Sequence, residues 1–376
     1  MDAFIDEHAP GLAAHALHEL EALVAVSSPS GDHEGAEAAV ALSVAFLPDG
    51  WAAERVPCST EGFAPDLIAR FRGTGEGRMM LLGHLDTVIG HEAHMPLSRR
   101  DGKLHGPGTA DMKGGDVLAL AVAKALSSMP DRFAELAILF VCDEEWRTQP
   151  FRHVSQFSGY DACLCFEAGE RAPDGGEGVI VRRKGAGTLR VRAHGRAAHS
   201  GSAPQDGRNA LLALARVAPE VAALSDPQGG EQLTVVPTIM HAGGAFNVVP
   251  AAGELVFDMR SRDTAAFARV RDVVPAELDE VQLSAALERV WPAMDSEAAV
   301  ADLLSRASER IGRPIVPRAR GGASDASHFA ETIPLTVDGL GPRGGGAHTP
   351  EEFVHEASLR ERLEVALAVA LSALDA

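Results

Sequence analysis

Residues 79–88 read MMLLGHLDTV, a short apolar run that ends in polar side chains. The run from Met79 to Leu85 predicts a buried β-strand, because it is short, continuous and apolar. Such strands are typical of a parallel sheet that is covered on both faces. Four similar runs support the same interpretation: 67–71, 136–142, 162–166 and 179–183.

Segments with a helical spacing of apolar residues alternate with these strands, at 11–26, 35–47 and 115–128. Alternating helices and strands predict an α/β layer with a mostly parallel, mixed sheet and helices on both faces. Residues 1–184 are expected to form the first part of this domain. The same pattern returns at 296–376, which ends in an amphipathic helix.

The pattern changes near residue 185, where apolar and polar residues begin to alternate strictly along the strands. Strict alternation is typical of a sheet with one solvated face. We therefore predict a small α+β domain at 185–295, inserted into the α/β domain. Its expected elements are strands at 188–194, 233–241, 254–260 and 281–289, and helices at 208–224 and from Thr264.

Composition excludes several classes of partner. The 376 residues include 34 Lys+Arg and 53 Asp+Glu, a formal net charge of −19, which disfavours nucleic acid and anionic lipid. The acidic N-terminus does not resemble a signal peptide, and no apolar run is long enough to span a membrane. The four cysteines form no C-x-x-C pair, which indicates free thiols in a reducing cytoplasm.

Polar residues with chemical potential follow the apolar strands. His84 and Asp86 point the same way on an extended chain, so the carboxylate can accept the N–H of a metal-binding imidazole. A satisfied histidine at a strand end is the alternative. Asp111 lies among glycines, where the backbone can approach a ligand, and its two oxygens can bridge two cations. For Asp111 alone, a helix cap is the simpler explanation.

A second group of polar residues is acidic. Asp143, Glu144 and Glu145 follow an apolar strand, and such a run is costly unless a cation neutralises it. One glutamate can bind a metal while its neighbour acts as a base; a solvated acidic turn is the alternative. Glu167 closes the next strand, and His348 follows three glycines. Neither is specific alone, but two histidines with three carboxylates form a mixed shell suited to zinc, with manganese or cobalt as alternatives.

The order of these motifs is specific. GHLDTV at 83–88, GPGTADMKGG at 106–115, DEE at 143–145 and AHTPEE at 347–352 together resemble the di-zinc exopeptidases and amidohydrolases. This family includes carboxypeptidase G, acetylornithine deacetylase and succinyl-diaminopimelate desuccinylase. The resemblance implies five ligands for two zinc ions: His84, Asp111, Glu145, Glu167 and His348.

The resemblance also implies a role for each residue of the centre. Asp111 is expected to bridge the ions, with His84 and Glu167 at one and Glu145 and His348 at the other. Two further roles are implied for neighbours of the ligands: Glu144 as general base and Asp86 as support for His84. The peptide after Asp111 is expected to be cis.

The inserted domain resembles the lid and dimerisation domain of this family. The resemblance implies that His199 stabilises the oxyanion and that Asn247 and Arg260 contact the carboxylate of the substrate; a surface ion pair is the alternative for Arg260. It places Ser324 and Asp325 in the wall of the site. We expect a homodimer that forms through this domain.

The predicted function is hydrolysis of an amide bond next to a free carboxylate, in a small peptide or N-acyl amino acid, with Glu144 activating water at the metal. A carboxypeptidase that releases a C-terminal amino acid such as glutamate is preferred. An N-acyl-amino-acid deacylase is the alternative, and an inactive metal-binding protein a distant one. Neither a dinucleotide-binding nor a P-loop motif occurs. Trp146 and Arg147, where relatives have small residues, leave the choice of substrate open.

Overall fold

The computed structural model describes residues 2–375 and divides the chain into two compact units. Unit 1 comprises the chain to Arg182, Asp295–Ala319 and the chain from Ser324 onwards. Unit 2 comprises Arg183–Met294 together with Arg320–Ala323. The short return to unit 2 at Arg320–Ala323 was not predicted from the sequence.

The regular elements are numbered in chain order. The α-helices are α1 (Ala3–Ala25), α2 (His33–Phe46), α3 (Lys113–Ser127), α4 (Ala210–Ala222), α5 (Ala265–Asp272), α6 (Glu297–Ile311), α7 (Ala326–Phe329) and α8 (Glu356–Leu374). The strands are β1 (Ala52–Val56), β2 (Asp66–Arg72), β3 (Arg78–His84), β4 (Ser98–Arg100), β5 (Lys103–His105), β6 (Glu135–Val141), β7 (Ala162–Cys165), β8 (Glu170–Arg171), β9 (Glu177–Arg183), β10 (Gly185–His194), β11 (Thr234–Ala242), β12 (Ala252–Ser261), β13 (Glu277–Leu278), β14 (Val281–Trp291), β15 (Met294–Asp295), β16 (Ile315–Arg320), β17 (Leu335–Val337), β18 (Gly344–Gly345) and β19 (Phe353–His355).

A six-stranded sheet organises unit 1, in the order β1-β2-β6-β3-β7-β17. The pairs β6–β3, β3–β7 and β7–β17 are parallel, whereas β1–β2 and β2–β6 are antiparallel. The α/β class predicted from the sequence, with a mixed and mostly parallel sheet, is confirmed. The carboxyl ends of β6, β3 and β7 are neighbours, which is where open α/β sheets bind ligands.

Alternation along β3 assigns its side chains to the two faces of this sheet. Met79 and Leu81 are buried in the core cluster formed with α1, α3 and α8. Met80 and Leu82 are equally buried but lie outside that cluster. The short helix α7 contacts β7 and β17. Burial on both faces explains why the strand sequences are continuously apolar.

Two elements of unit 1 differ from the sequence-based expectation. Helix α1 begins at Ala3, not at residue 11, and contains Pro10. Pro10 and Asp6 are exposed, so water can satisfy the Asp6 carbonyl that proline leaves without a donor. Strand β1 was not predicted, because four of its five residues are exposed and only Val56 is buried.

A small sheet brings a distant loop to the edge of unit 1. Its order is β18-β19-β5-β4, with Phe353 opposite His105 and Val354 opposite Leu104. The 346–352 loop between β18 and β19 therefore lies beside the chain that follows β5. A further sheet places β9 beside β16 and β8.

Unit 2 is a five-stranded antiparallel sheet in the order β11-β12-β10-β14-β13. Helices α4 and α5 pack on one face, where Leu189, Val191 and Phe257 are buried. Arg190, between the two buried residues of β10, instead pairs with Glu254 and Glu288. The predicted α+β character with one polar sheet face is confirmed. Strand β11 lies at the edge of the sheet.

Among the helices described between residues 2 and 375, none combines the length and apolarity needed to cross a bilayer.

Candidate metal centre

The polar residues that follow β3, β6 and β7 converge in unit 1. His84 ends β3, Glu144 and Glu145 follow β6, and Glu167 follows β7. These three strands are adjacent and parallel, so their carboxyl ends bring the side chains to one edge. Chain topology therefore brings together residues of these three strand ends that are up to 83 positions apart in sequence, from His84 to Glu167.

Asp111 lies between the two histidines. Its Oδ1 is 3.1 Å from His84 Nε2, and its Oδ2 is 3.1 Å from His348 Nε2. His84 Nε2 is also 3.9 Å from Glu167 Oε1, and His348 Nε2 is 3.3 Å from Glu145 Oε2. The ligand atoms form two triplets that share Asp111: one with His84 and Glu167, the other with Glu145 and His348. Within each triplet, the three atoms lie within 4.8 Å of one another. One carboxylate thus serves two separate ligand sets.

The imidazole of His84 presents its lone pair to this cluster. Nδ1 lies 3.0 Å from the backbone oxygen of Asp86, and a carbonyl can only accept, so Nδ1 carries the proton. Nε2 faces the carboxylates of Asp111 and Glu167, and in the neutral imidazole with its proton on Nδ1 it is the atom that can bind a metal. His348, which follows the glycine run at 344–346, has a positive φ of 66°. This backbone conformation is uncommon for residues other than glycine.

The electrostatics of the cluster favour a cation. Burial, reinforced by nearby Asp325, Glu167 and Glu145, raises the pKa of Glu144 well above its usual value. Hydrogen bonds to Asp111 and Glu145 raise the pKa of His348 to about 10. Glu145 Oε1 is buried and has no hydrogen-bond partner among residues 2–375. The residues present therefore fit a metal centre, because divalent cations satisfy such carboxylate oxygens.

Asp86 holds the turn that carries the two glutamates. Its Oδ1 accepts from Glu144 N at 3.1 Å, and its Oδ2 accepts from Glu145 N at 3.1 Å. Ser30 Oγ donates to Asp86 Oδ2 at 2.6 Å, and His84 Nδ1 lies 3.4 Å from Oδ1. Asp86 therefore orients both His84 and the Glu144–Glu145 turn. The role of Ser30 was not predicted, since no local pattern links it to Asp86.

Glu352 holds the loop that carries Asp111. Its carboxylate accepts from the backbone N–H groups of Gly108, Ala110 and Asp111 at 2.9, 2.7 and 2.9 Å. Burial raises the pKa of Glu352 to about 7, against the opposing effect of these bonds. The peptide between Asp111 and Met112 is cis, as the resemblance predicted. This role of Glu352 was not predicted from the sequence, although Glu352 lies four residues after His348.

Close packing also draws α3 toward the strand end at Glu167. A Cβ atom at Gly115 would lie 1.8 Å from the backbone oxygen of Phe166. Only glycine permits that approach. The ADMKGG motif therefore places the start of α3 directly against the residue before Glu167.

A buried ion-pair group lies behind the acidic turn. Arg147 is fully buried; its Nε donates to Asp143 Oδ1 at 3.0 Å, and its guanidinium forms a fork with both oxygens of Asp325. Thr60 N and Oγ1 donate to Asp143 Oδ2 at 2.8 and 2.7 Å. The buried hydrogen bonds of Arg147 thus stabilise the acidic turn. The preceding Trp146 is 56% exposed.

Three further predicted residues, His199, Asn247 and Arg260, lie in unit 2. His199 is joined to the Asn247 loop by backbone bonds from Ser200 N to Asn247 O and from Val249 N to Ala198 O. Arg260 lies on β12, where its guanidinium forms a fork with Asp258 at 3.0 Å for both contacts. The ion pair considered as the alternative for Arg260 is therefore present.

The sequence of this chain matches a known protein family and several curated relatives. The model of peptidase family M20/M25/M40 matches residues 80–372. The chain belongs to that family. Carboxypeptidase G2 of Pseudomonas sp. (strain RS-16) is 28% identical, with 93% of this chain and 87% of the relative covered. Succinyl-diaminopimelate desuccinylase of Methylorubrum populi is 29% identical, with 94% and 96% covered.

Solved structures have the same fold. The aminopeptidase PepT from Bacillus cereus has a TM-score of 0.77 at 19% identity, and covers 96% of this chain and 98% of its own. The M20 metallo-carboxypeptidase Sso-CP2 from Sulfolobus solfataricus has a TM-score of 0.72 at 15% identity, with 96% and 99% covered. The family membership and the curated relatives indicate a hydrolase, and metal use is expected for the family.

Proposed function

We propose that this M20 protein is a di-zinc exopeptidase that cleaves an amide bond next to a free carboxylate and releases a C-terminal amino acid such as glutamate. The observation that carries the proposal is the pair of ligand triplets that share Asp111. Asp111 and its four partners His84, Glu145, Glu167 and His348 would hold two Zn²⁺, with Mn²⁺ or Co²⁺ as alternatives. When bound, zinc lowers the pKa of water and polarises the carbonyl of the scissile amide.

Glu144 would act as the general base. Its side chain is half-buried beside the ligand cluster, and its backbone N–H donates to Asp86. It would take a proton from the attacking water and deliver it to the leaving nitrogen. The burial that raises the pKa of Glu144 strengthens its affinity for the proton of the attacking water, as a general base requires.

His199 would donate a hydrogen bond to the oxyanion. Its Nδ1 accepts from the backbone N–H groups of Gly201 and Ser202 at 3.1 and 3.2 Å. Nδ1 therefore carries no proton in neutral His199, and Nε2 carries it. This tautomer supports the proposed role, since Nε2–H is a donor and stabilises negative charge that develops during the reaction.

Arg260 and Asn247 would recognise the carboxylate of the substrate. The planar guanidinium of Arg260 matches a carboxylate with two parallel hydrogen bonds. In the structure Asp258 fills that role, and both side chains are partly exposed, at 31% and 41%. A substrate carboxylate would thus compete with Asp258 for Arg260.

A deacylase acting on N-acyl amino acids is the second candidate function. It is favoured by the desuccinylase relative, which matches over 94% of this chain. Both activities use the same chemistry and differ in which side of the amide is recognised.

The decisive experiment is a screen of zinc-loaded protein. Dipeptides and N-acyl glutamates would be compared with their C-terminal amides and with N-succinyl and N-acetyl diamino acids, by the amount of amino acid released. The carboxypeptidase proposal predicts hydrolysis of the free acids only, with the Glu144→Gln protein as the control. Equal hydrolysis of acids and amides would refute it, and a preference for the acylated diamino acids would favour the deacylase.

The protein is also proposed to form a homodimer through β11 of unit 2. Val236, Ile239 and Met240 on this edge strand are 49%, 47% and 41% exposed. An edge strand offers unpaired backbone groups and is a template for a second chain. The four buried, free cysteines support our placement of the protein in the cytoplasm, where thiols remain reduced.

A further inference from the structure

A separate cavity in unit 1 is lined by arginines. Its volume is about 250 Å³, and its wall includes Arg171, Gly176, Glu177, Arg313 and Glu361. None of these residues belongs to the ligand cluster around Asp111. The cavity lies where β8 and β9 meet the residue pair Arg313–Pro314 and the first turns of α8.

The wall of this cavity carries two arginines and two glutamates, and these belong to a larger ion-pair network in which positive charge exceeds negative charge. Glu177 is buried and contacts four guanidinium groups, at distances of 2.7 to 3.7 Å. Two more glutamates complete the network. Its members are Arg171, Arg313, Arg343, Arg360 and Arg362, and Glu177, Glu361 and Glu364.

Five cations and three anions leave two positive charges in surplus, and one remains when the nearby turn residue Asp174 is included. Such a surplus is unexpected in a protein with a net charge of −19. Burial and the adjacent cations Arg343 and Arg313 lower the pKa of Arg362 to about 10. The crowded guanidinium groups would be stabilised by another anion.

Two of the arginines keep donors for a ligand. Arg171 and Arg313 are 51% and 30% exposed, and both line the cavity. Their contacts with Glu177 are 3.7 Å long, which is beyond hydrogen-bond distance. Arg171 Nη1 reaches Gly175 O at 3.5 Å, and Arg171 Nη2 donates to Glu361 Oε2 at 3.2 Å. Arg313 donates from Nη1 to Glu364 Oε2 and from Nη2 to Glu361 O, at 2.8 and 2.9 Å, so the donor that it keeps for a ligand is Nε. Planar guanidinium groups with open donors are the preferred partners of phosphate groups.

We propose that this cavity binds a compact tetrahedral oxyanion, either inorganic phosphate or the phosphoryl group of a small metabolite. A volume of about 250 Å³ exceeds several times the roughly 30 Å³ that a water molecule occupies, so a phosphate and a short organic group fit. Glu361, which is 39% exposed and contacts Arg171 and Arg343, competes with the anion for the same donors.

The network is connected to the loops of the metal centre. Arg362 Nε and Nη2 donate to Gly341 O and Gly339 O at 3.2 and 2.6 Å. Gly341 N in turn donates to the backbone oxygen of Glu167 at 2.8 Å. An anion that orders these arginines therefore stabilises the segment behind Glu167, and raises the thermal stability of the protein.

The test measures binding of potassium phosphate to the zinc-loaded full chain by calorimetry and by the shift in Tm, against potassium chloride at equal ionic strength. The variant R171Q/R313Q is expected to weaken binding about tenfold or more, since it removes charge-assisted hydrogen bonds. E361Q is expected to tighten it, because the competing carboxylate is lost. R318Q is the matched control: Arg318 pairs with Glu170 outside the cavity and should leave binding unchanged.

The opposite effects of R171Q/R313Q and E361Q distinguish an anion site from a structural ion-pair network. Glycerol phosphate as a second probe identifies the source: tighter binding than phosphate indicates a phosphorylated metabolite, and weaker binding indicates the free anion. Binding that is absent, or equal in all four proteins, would overturn the proposal; equal binding would place the anion elsewhere, including at zinc. Each measurement is independent of hydrolytic activity.

Discussion

Asp111 faces one histidine with each carboxylate oxygen, at 3.1 Å in both cases. Asp111→Ala removes a ligand from both proposed metal sites and should lower the zinc content measured by elemental analysis toward zero. Glu144→Gln keeps the size of the side chain and all proposed ligands. It should retain zinc but lose about 10²–10⁴-fold in kcat, the usual contribution of a general base.

The two variants serve as controls for each other, since both change one acid beside the same cluster. Circular dichroism verifies that each remains folded. A full zinc complement in Asp111→Ala would contradict the bridging assignment. Normal turnover by Glu144→Gln would remove Glu144 from the mechanism.

Arg260 forms an ion pair with Asp258, and in the proposed binding mode a substrate carboxylate would compete for the same guanidinium. Arg260→Ala should lower kcat/KM for carboxylate substrates roughly 30-fold or more, the equivalent of about 2–5 kcal/mol for a lost charged contact, without loss of zinc. Asp258→Asn removes the competitor and should lower KM for the same substrates. If Arg260 serves only in the ion pair, both variants will leave KM and kcat unchanged.

At the scale of elements, the local chemistry of the site was predictable and its long-range contacts were not. His84 and Glu167 were found because an apolar strand that ends in a polar residue is a local pattern. The bonds from Glu352 to the Asp111 loop join residues 241–244 apart, and the fork between Arg147 and Asp325 joins residues 178 apart. Spacing along the chain carries no signal for such pairs.

The limits of prediction within elements have the same physical origin. Helix α1 passes through Pro10, and strand β1 is mostly exposed. Tertiary packing, not local propensity, stabilises both, since α1 packs against α3 and α8, and β1 pairs with β2. In unit 2 the predicted helix from Thr264 corresponds to α5, which begins at Ala265, because its pattern is local.

The Asp111 loop should depend on Glu352. Glu352→Gln replaces an oxygen acceptor by an NH₂ group, which cannot accept from the backbone N–H groups it faces. Each lost bond to a charged group costs about 1.5–3 kcal/mol. We expect a lower urea midpoint and faster loss of zinc to a chelator. Glu351→Gln, at an exposed neighbour, is the control; equal behaviour of the two variants would show that Glu352 does not hold the loop.

At the scale of the whole molecule, the proposed dimer would form through the edge strand β11. Val236, Ile239 and Met240 expose apolar surface on β11, and Leu212 of α4 is 58% exposed. Pro237 lies at a break in register with β12 and lacks an N–H, so pairing with a second copy should involve the strand after it. Light scattering should give a dimer for the native protein and a monomer for Ile239→Asp. Val290→Asp, on β14 at the opposite side of the sheet and 48% exposed, is the matched control and should remain dimeric.

The proposed dimer permits a test of where His199 acts. His199 belongs to unit 2, whereas Glu144 and the five proposed ligands belong to unit 1. If the partner subunit supplies the oxyanion donor, a mixed dimer of His199→Ala and Glu144→Gln chains contains one site with both groups intact. Such a heterodimer should regain up to about half of the activity of the native dimer, because one of its two sites is complete, although each variant alone is expected to be inactive. Differently tagged chains, purified together, provide the heterodimer, and the two homodimers serve as controls. The heterodimer forms whether or not its sites are active. A purified heterodimer without activity would therefore show that His199 acts in the site of its own chain or has no role in the mechanism.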